Sequence, residues 1–165
     1  MKVRLLFRQQ AAVLFVAVGL VWAFRSLQAF SDPQFTDPQS LNDWVAVVTL
    51  SLATWLLAPA LLNLPQPPSA RWPAGAAAAA AVVVGLANLL EDGLGVEAAG
   101  IGFGLGNAVL LLGCVVMSLV SLVRSPRWAA VVPAGTAVGL LLLESGGGLL
   151  CLAVWCFAAW RVPRA

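Results

Sequence analysis

Apolar residues in this chain come in long unbroken runs separated by short polar breaks. They do not alternate as the residues of a half-buried strand or a membrane barrel do, so helices are predicted. Six runs stand out, at about 5–24, 44–64, 73–90, 101–123, 129–143 and 147–160. The first four match the roughly 20 residues a helix needs to cross the hydrocarbon core of a bilayer. The last two lie at or below the lower limit. They read as full crossings aided by snorkelling ends, or as a re-entrant hairpin. Trp128 and Trp160 at their outer flanks favour two full crossings, because indole rings settle at the membrane interface. In lipid each backbone N–H and C=O must be paired within its own segment, which is why a long apolar run becomes a helix there. The expected fold is all-α: a six-helix polytopic bundle forming a single transmembrane domain over residues 1–165.

Composition narrows the class. Of 165 residues 61% are hydrophobic and 10% charged, against roughly 25% charged in a soluble domain. A soluble globule, a disordered chain and a disulfide scaffold are excluded. Charge placement then gives an orientation. Lys2, Arg4 and Arg8 precede the first run, Arg71 separates the second and third, Arg124 and Arg127 the fourth and fifth, and Arg161 and Arg164 follow the last. Asp32, Asp37, Asp43, Glu91, Asp92, Glu97 and Glu144 occupy the alternate connections. The positive-inside rule places both termini in the cytoplasm. A net charge of +2 with scattered basic residues excludes a nucleic-acid stripe. The Arg- and Ala-rich, Lys-poor composition is that of a high-GC bacterium, so the expected location is a bacterial inner membrane.

Several segments invite other readings. The basic start and the apolar stretch 11–24 resemble a signal peptide, but Leu27 and Arg25 suit a cleavage site after Ala29 poorly, and a retained anchor is expected. The connection 31–43 repeats a short Ser/Thr-Asp-Pro-Gln unit and reads as a turn-rich external loop. Asn42 or Asp43 offers an N-cap to the second helix. The Pro-rich stretch 65–73 reads as a stiff cytoplasmic connector. Cys114, Cys151 and Cys156 lie inside apolar runs with no CxxC spacing, which predicts packing and no metal site. Pro59 removes the partner of the Trp55 carbonyl and is expected to kink the second helix.

Candidate chemistry concentrates at the acidic end. Asn88, Glu91 and Asp92 are spaced i, i+3 and i+4, which on an α-helix puts them on one face. Asn107 lies about two turns into the fourth run. Arg25, a lone basic residue on the acidic side, needs an acid nearby, because an unpaired charge at the membrane boundary is costly. The expectation is a polar cluster of Arg25, Asn88, Glu91, Asp92 and Asn107 just beneath the outer surface. It reads either as an interhelical clamp or as a site for a cation or small polar solute. Gly100, Gly102, Gly104, Gly106 and Gly113 form two GxxxG faces that let helices approach closely, within the bundle or against another membrane subunit.

The stretch Gly104-Leu105-Gly106-Asn107 resembles the GxGD motif of intramembrane aspartyl proteases over four residues. The family's catalytic Asp is Asn here and no second intramembrane Asp is present, so the resemblance implies no protease chemistry. The chain has no His, hence no imidazole base and no His ligand for haem or metal. No cofactor is expected. The leading expectation is a non-enzymatic accessory or scaffold subunit, with the bilayer and a membrane-protein partner or a second copy as neighbours. A small transporter or channel component using the outer cluster is the alternative, and a membrane-embedded enzyme comes third.

Overall fold

A computed structural model describes residues 2–31, 38, 40–124 and 127–162. Six α-helices follow one another: α1 (Lys2–Ser31), α2 (Leu41–Asn63), α3 (Arg71–Asn88), α4 (Ala99–Arg124), α5 (Trp128–Leu141) and α6 (Gly147–Arg161). No strand occurs among the described residues. α1 through α4 are long and apolar enough to span a bilayer. α5 and α6 have 14 and 15 residues, about 21–23 Å at 1.5 Å per residue, against a core of about 30 Å. Asp32, Asp37 and Arg164 lie outside the described residues, as does most of the Asp-Pro repeat.

The helix ends are set by local chemistry. α2 begins at an N-cap that the sequence places two or three residues too late. Ser40 is the cap, its hydroxyl accepting from the Asp43 N–H (3.3 Å) while the Asp43 carboxylate accepts from the Ser40 N–H (2.7 Å). Asp43 is therefore the third helical residue of a capping box. α2 runs on through Pro59 to Asn63, whose side-chain amide donates to the Pro59 carbonyl (2.8 Å). Between α2 and α3 the Pro-rich connector forms a 3-10 turn at Pro68–Ala70. α3 does not end as an α-helix but widens into a π-turn at Leu89–Gly93. Gly95, at φ 69°, then lets the Val96 N–H reach back to the Leu90 carbonyl (2.9 Å). Only glycine adopts that left-handed backbone at little cost.

Each helix packs on its neighbours in sequence, and α6 packs along α1, so the six close into a ring. Contacts fix an antiparallel register at most seams. On α1 and α6, Phe15 stacks on Trp155 with ring centroids 5.2 Å apart, Gly19 faces Leu152, and Trp22 and Ser26 face Gly148. On α3 and α4, Ala77 faces Gly113, Val84 faces Gly106 and Ala87 faces Gly102. On α2 and α3, Gly85 faces Thr54 and Trp55, and the Trp55 indole donates to the Val82 carbonyl (3.3 Å). Ser118 of α4 donates to the Ala130 carbonyl of α5 (2.9 Å). These seams are lined by glycine and alanine because dispersion contact replaces the hydrophobic effect as the force between helices in lipid.

The interior core includes Phe15, Leu57, Leu61, Leu110, Met117 and Trp155, all fully buried. The outward faces are the reverse of a soluble protein's. Val13, Leu41, Ile101, Leu105, Val123 and Leu141 are each about two-thirds or more exposed. Apolar surface on this scale around a bundle is a lipid-facing surface. At the basic end the Arg161 guanidinium lies over the Phe157 and Trp160 rings, 5.4 and 5.1 Å from their centroids. Trp128 meets Phe157 edge-on. This is the arrangement expected where cations and indoles share a membrane interface.

A second polar tie joins the Trp55–Val82 bond across the α2–α3 seam. The Asn88 amide donates to the Val47 carbonyl (3.0 Å) and the Ser51 hydroxyl (2.9 Å), in a fully buried position. Asn88→Leu removes both bonds and keeps the volume. Chemical or thermal unfolding in detergent is expected to show a loss of about 1–2 kcal/mol, the upper part of the range for interhelical hydrogen bonds. An unchanged midpoint would mean that the tie contributes nothing to stability.

Candidate functional site

The shortness of α5 and α6 creates the site. Their connection, a 3-10 turn at Leu143–Ser145 followed by Gly146 at φ 93°, is held to α1 where the Ser26 hydroxyl donates to the Leu143 carbonyl (2.9 Å). Ser26 is five residues below the end of α1, about 8 Å along its axis. The turn is thus sunk below the rim, and a cavity of about 610 Å³ lies between it and the acidic ends of the other helices. Its walls come from α1, α2, the end of α3, α4 and the end of α5. They descend as far as Leu111, twelve residues from the start of α4 and about 18 Å along it. Buried Phe15, Leu57, Met117 and Trp155 fill the interior toward the basic end.

Charge gathers around this cavity. Arg25 of α1, Asp92 of the π-turn and Glu144 of the 3-10 turn all line it, and Asp92 and Glu144 are the acids that attract Arg25. One positive and two negative groups face a shared volume. Asn107 of α4 lines it lower down, its amide nitrogen donating to the Phe103 carbonyl of its own helix (3.1 Å). Thr54 of α2, Trp22 of α1 and Ser145 of the 3-10 turn complete the polar inventory of the walls. The Thr54 hydroxyl is bonded within α2. Trp22 is 1% exposed, and its indole N–H has no hydrogen-bond partner.

The five residues expected to cluster are only partly brought together. Arg25, Asp92 and Asn107 share the cavity. Asn88 does not: it turns to α2, bonded to Val47 and Ser51. Glu91 does not either. Its carboxylate rests against Gly100 at the start of α4, where an added Cβ would overlap it. The predicted common face of Asn88, Glu91 and Asp92 assumed α-helical spacing. The π-turn replaces i→i+4 with i→i+5 hydrogen bonding and spreads the three around the axis. Glu91 is left beside the first turn of α4, where a carboxylate is favourable to the helix dipole.

The glycine reading also divides. Gly102, Gly106 and Gly113 face α3 inside the bundle, while Gly104 has nothing within 4 Å of an added Cβ and is exposed. Gly104 is thus no internal packing residue, because its side of α4 faces outward. Glu144 was missed by sequence reasoning. It is the sole acid between the fifth and sixth runs, but nothing local says that α6 lies on α1, and that contact carries Glu144 to Arg25.

Cys114, Cys151 and Cys156 are free thiols. No group of three or more His, Cys, Asp or Glu side chains converges among the described residues. The chain matches no protein-family model, no curated protein and no solved structure.

Proposed function

We propose that this is an integral protein of a bacterial inner membrane, with six crossings and both termini in the cytoplasm, that receives a small polar solute in a pocket opening on the outer face. The observation that carries the reading is the cavity of about 610 Å³ between Arg25, Asp92 and Glu144. It is within the 300–1,000 Å³ usual for small-molecule sites. Charged groups bounding a cleft whose other walls mix apolar side chains with Asn107, Thr54 and Ser145 fix the orientation of a solute, and the packed interior toward the basic end blocks free passage. The orientation rests on Arg71, Arg124, Arg127 and Arg161 standing at helix ends opposite the acids.

A cysteine at Asn107, with the three native cysteines replaced by alanine, tests this. The expected result is labelling by a membrane-impermeant maleimide in spheroplasts and its absence in inverted vesicles. Labelling only in inverted vesicles reverses the topology. No labelling from either side, in a variant that still purifies as a single species, removes the pocket.

The accessory-subunit reading is favoured by a separate observation. Among the described residues none of the fully buried side chains is ionisable apart from thiols, whereas coupled transporters characteristically carry such a group near the midplane. The two readings combine as a non-enzymatic subunit that binds a solute and passes it, or the signal of its presence, to a partner. Purification in mild detergent followed by mass analysis is expected to recover a partner. An isolated monomer that moves solute alone in liposomes would favour the transporter.

A further inference from the structure

The ring of six helices is open at the level of the pocket. Ser118 of α4 meets Ala130 of α5. Gly104 is fourteen residues from Ser118, close to four turns, so it lies on the same side of α4 and about 21 Å nearer the acidic end. α5 runs only eleven residues beyond Ala130, to Leu141, about 16 Å. It stops about 5 Å short of Gly104, and a Cβ added to Gly104 accordingly meets nothing within 4 Å. α6 starts at Gly147, with Gly148 against Trp22 and Ser26 of α1, and it supplies no wall to the cavity. Above the Leu143–Ser145 turn, no helix among the described residues stands between α1 and the first turns of α4.

This gap lies at the depth of the acidic-side leaflet. Asn107 is seventeen residues from Arg124 at the basic end of α4, about 26 Å along a helix that crosses a core of about 30 Å. Leu141 is level with Asn107, since each is eleven residues from the Ser118–Ala130 contact. Leu141 lines the cavity and is also 69% exposed, so it forms the lip. Leu142 beside it, Leu27 of α1 and Leu105 of α4 are exposed as well. Behind this apolar mouth the cavity carries Arg25, Asp92, Asn107 and Glu144. A mouth of apolar side chains at hydrocarbon depth admits lipid chains, while polar groups are favourable there only with polar partners or water. Polar walls within and an apolar passage to the side are complementary to an amphiphile.

Resting on the pocket reading above, we infer that the polar group received there is the head of a membrane lipid drawn from the outer leaflet. The head enters among Arg25, Asp92 and Glu144. The acyl chains stay in the bilayer and pass over the α5–α6 turn, between α1 and α4 and beside Gly104. Walls that carry both signs of charge suit several head groups, so the ligand class is set by the chain and not by the charge of the head. A free solute reaches the cavity through the outer mouth alone and makes no use of the side gap.

The test is photolabelling of the full chain in liposomes of phosphatidylglycerol and phosphatidylethanolamine. Each lipid in turn carries a diazirine at the top of one acyl chain, next to the glycerol, and adducts are located by peptide mass analysis. With at least one of the two lipids, adducts are expected on the cavity walls at Leu50, Phe103 and Asn107, as well as on the outward positions Leu112 and Val131. Gly104→Trp puts a bulky ring in the side gap at a position with room for it. It is expected to lose the wall adducts and keep the outward ones, a split that a misfolded bundle would not produce. Adducts confined to outward positions, with Asn107→Cys still labelled from outside by the maleimide, overturn the lipid and leave a pocket open to water alone. Wall adducts that survive Gly104→Trp also overturn it, because the chains then do not pass beside Gly104. Loss of both the wall adducts and the maleimide labelling removes the pocket and the lipid together. A benzophenone maleimide on Gly104→Cys that joins a second polypeptide in native membranes gives the gap to a partner helix and overturns the lipid.

Discussion

Gly148→Ala is expected to destabilise the folded bundle by about 3 kcal/mol or more. A Cβ at this position would overlap the Trp22 carbonyl and press on Ser26, both on α1. The obstruction is backbone and cannot rotate away. On the other side of the seam a Cβ added to Gly19 would lie 3.0 Å from the Leu152 Cα, so the seam has little slack and the two helices must separate to admit a methyl group at position 148. Overpacking a well-filled interior costs about 1–3 kcal/mol and sometimes more, and a rigid backbone contact belongs at the upper end. That is a large share of the roughly 5–15 kcal/mol by which folded proteins are stable. Size-exclusion chromatography in detergent should show a small fraction of monodisperse protein. Gly75→Ala is the control. Its added Cβ meets nothing within 4 Å, and replacing a mid-helix glycine should stabilise α3 by up to about 1 kcal/mol. A Gly148→Ala protein as stable as the parent would mean that α1 and α6 are not in contact.

Arg25→Glu has the second-largest expected effect, and its rescue identifies the partners. The substitution places a third carboxylate beside Asp92 and Glu144, where like charges repel and water is restricted. A loss on the order of 2–3 kcal/mol follows, at the upper end for single substitutions. Adding Asp92→Arg restores an opposite pair and should recover much of the folded yield. Adding Glu91→Arg should not, because Glu91 lies against Gly100 at the start of α4. Sequence spacing alone nominates Glu91 equally with Asp92, so the comparison separates helix-face arithmetic from the geometry of the π-turn. Rescue by Glu91→Arg and not by Asp92→Arg would show the end of α3 to be an ordinary α-helix.

The contrast shows what can be read without coordinates. Six helices were legible because lipid admits so few backbone solutions: a long apolar run has one way to pair its own amides. Their limits shifted by a few residues, as at Ser40, where a capping box reaches outside the apolar run. Leu143 passed from the fifth run into a 3-10 turn. The need of Arg25 for an acid was legible from electrostatics. Which acid was not, since that depends on a closing contact between the first and last helices and on a π-turn with no sequence signature of its own. Asn88 illustrates the limit. Its polarity in an apolar run marks it as important, but its direction, toward Val47 and Ser51, is set by helix packing.

The pairing of α1 with α6 also has a consequence for biogenesis. Of the six helices α1 is made first, and Phe15, Gly19 and Trp22 present a groove whose complement is the last of the six to emerge. Every other seam joins helices adjacent in the chain and can zip as they arrive, while this one must wait for the intervening helices. Closing the ring of six is therefore the step of greatest sequence separation among these seams, the slow class of contact. A ribosome stalled before α6 would leave an open arc of five helices, with that groove exposed to lipid and to the membrane's quality-control proteases.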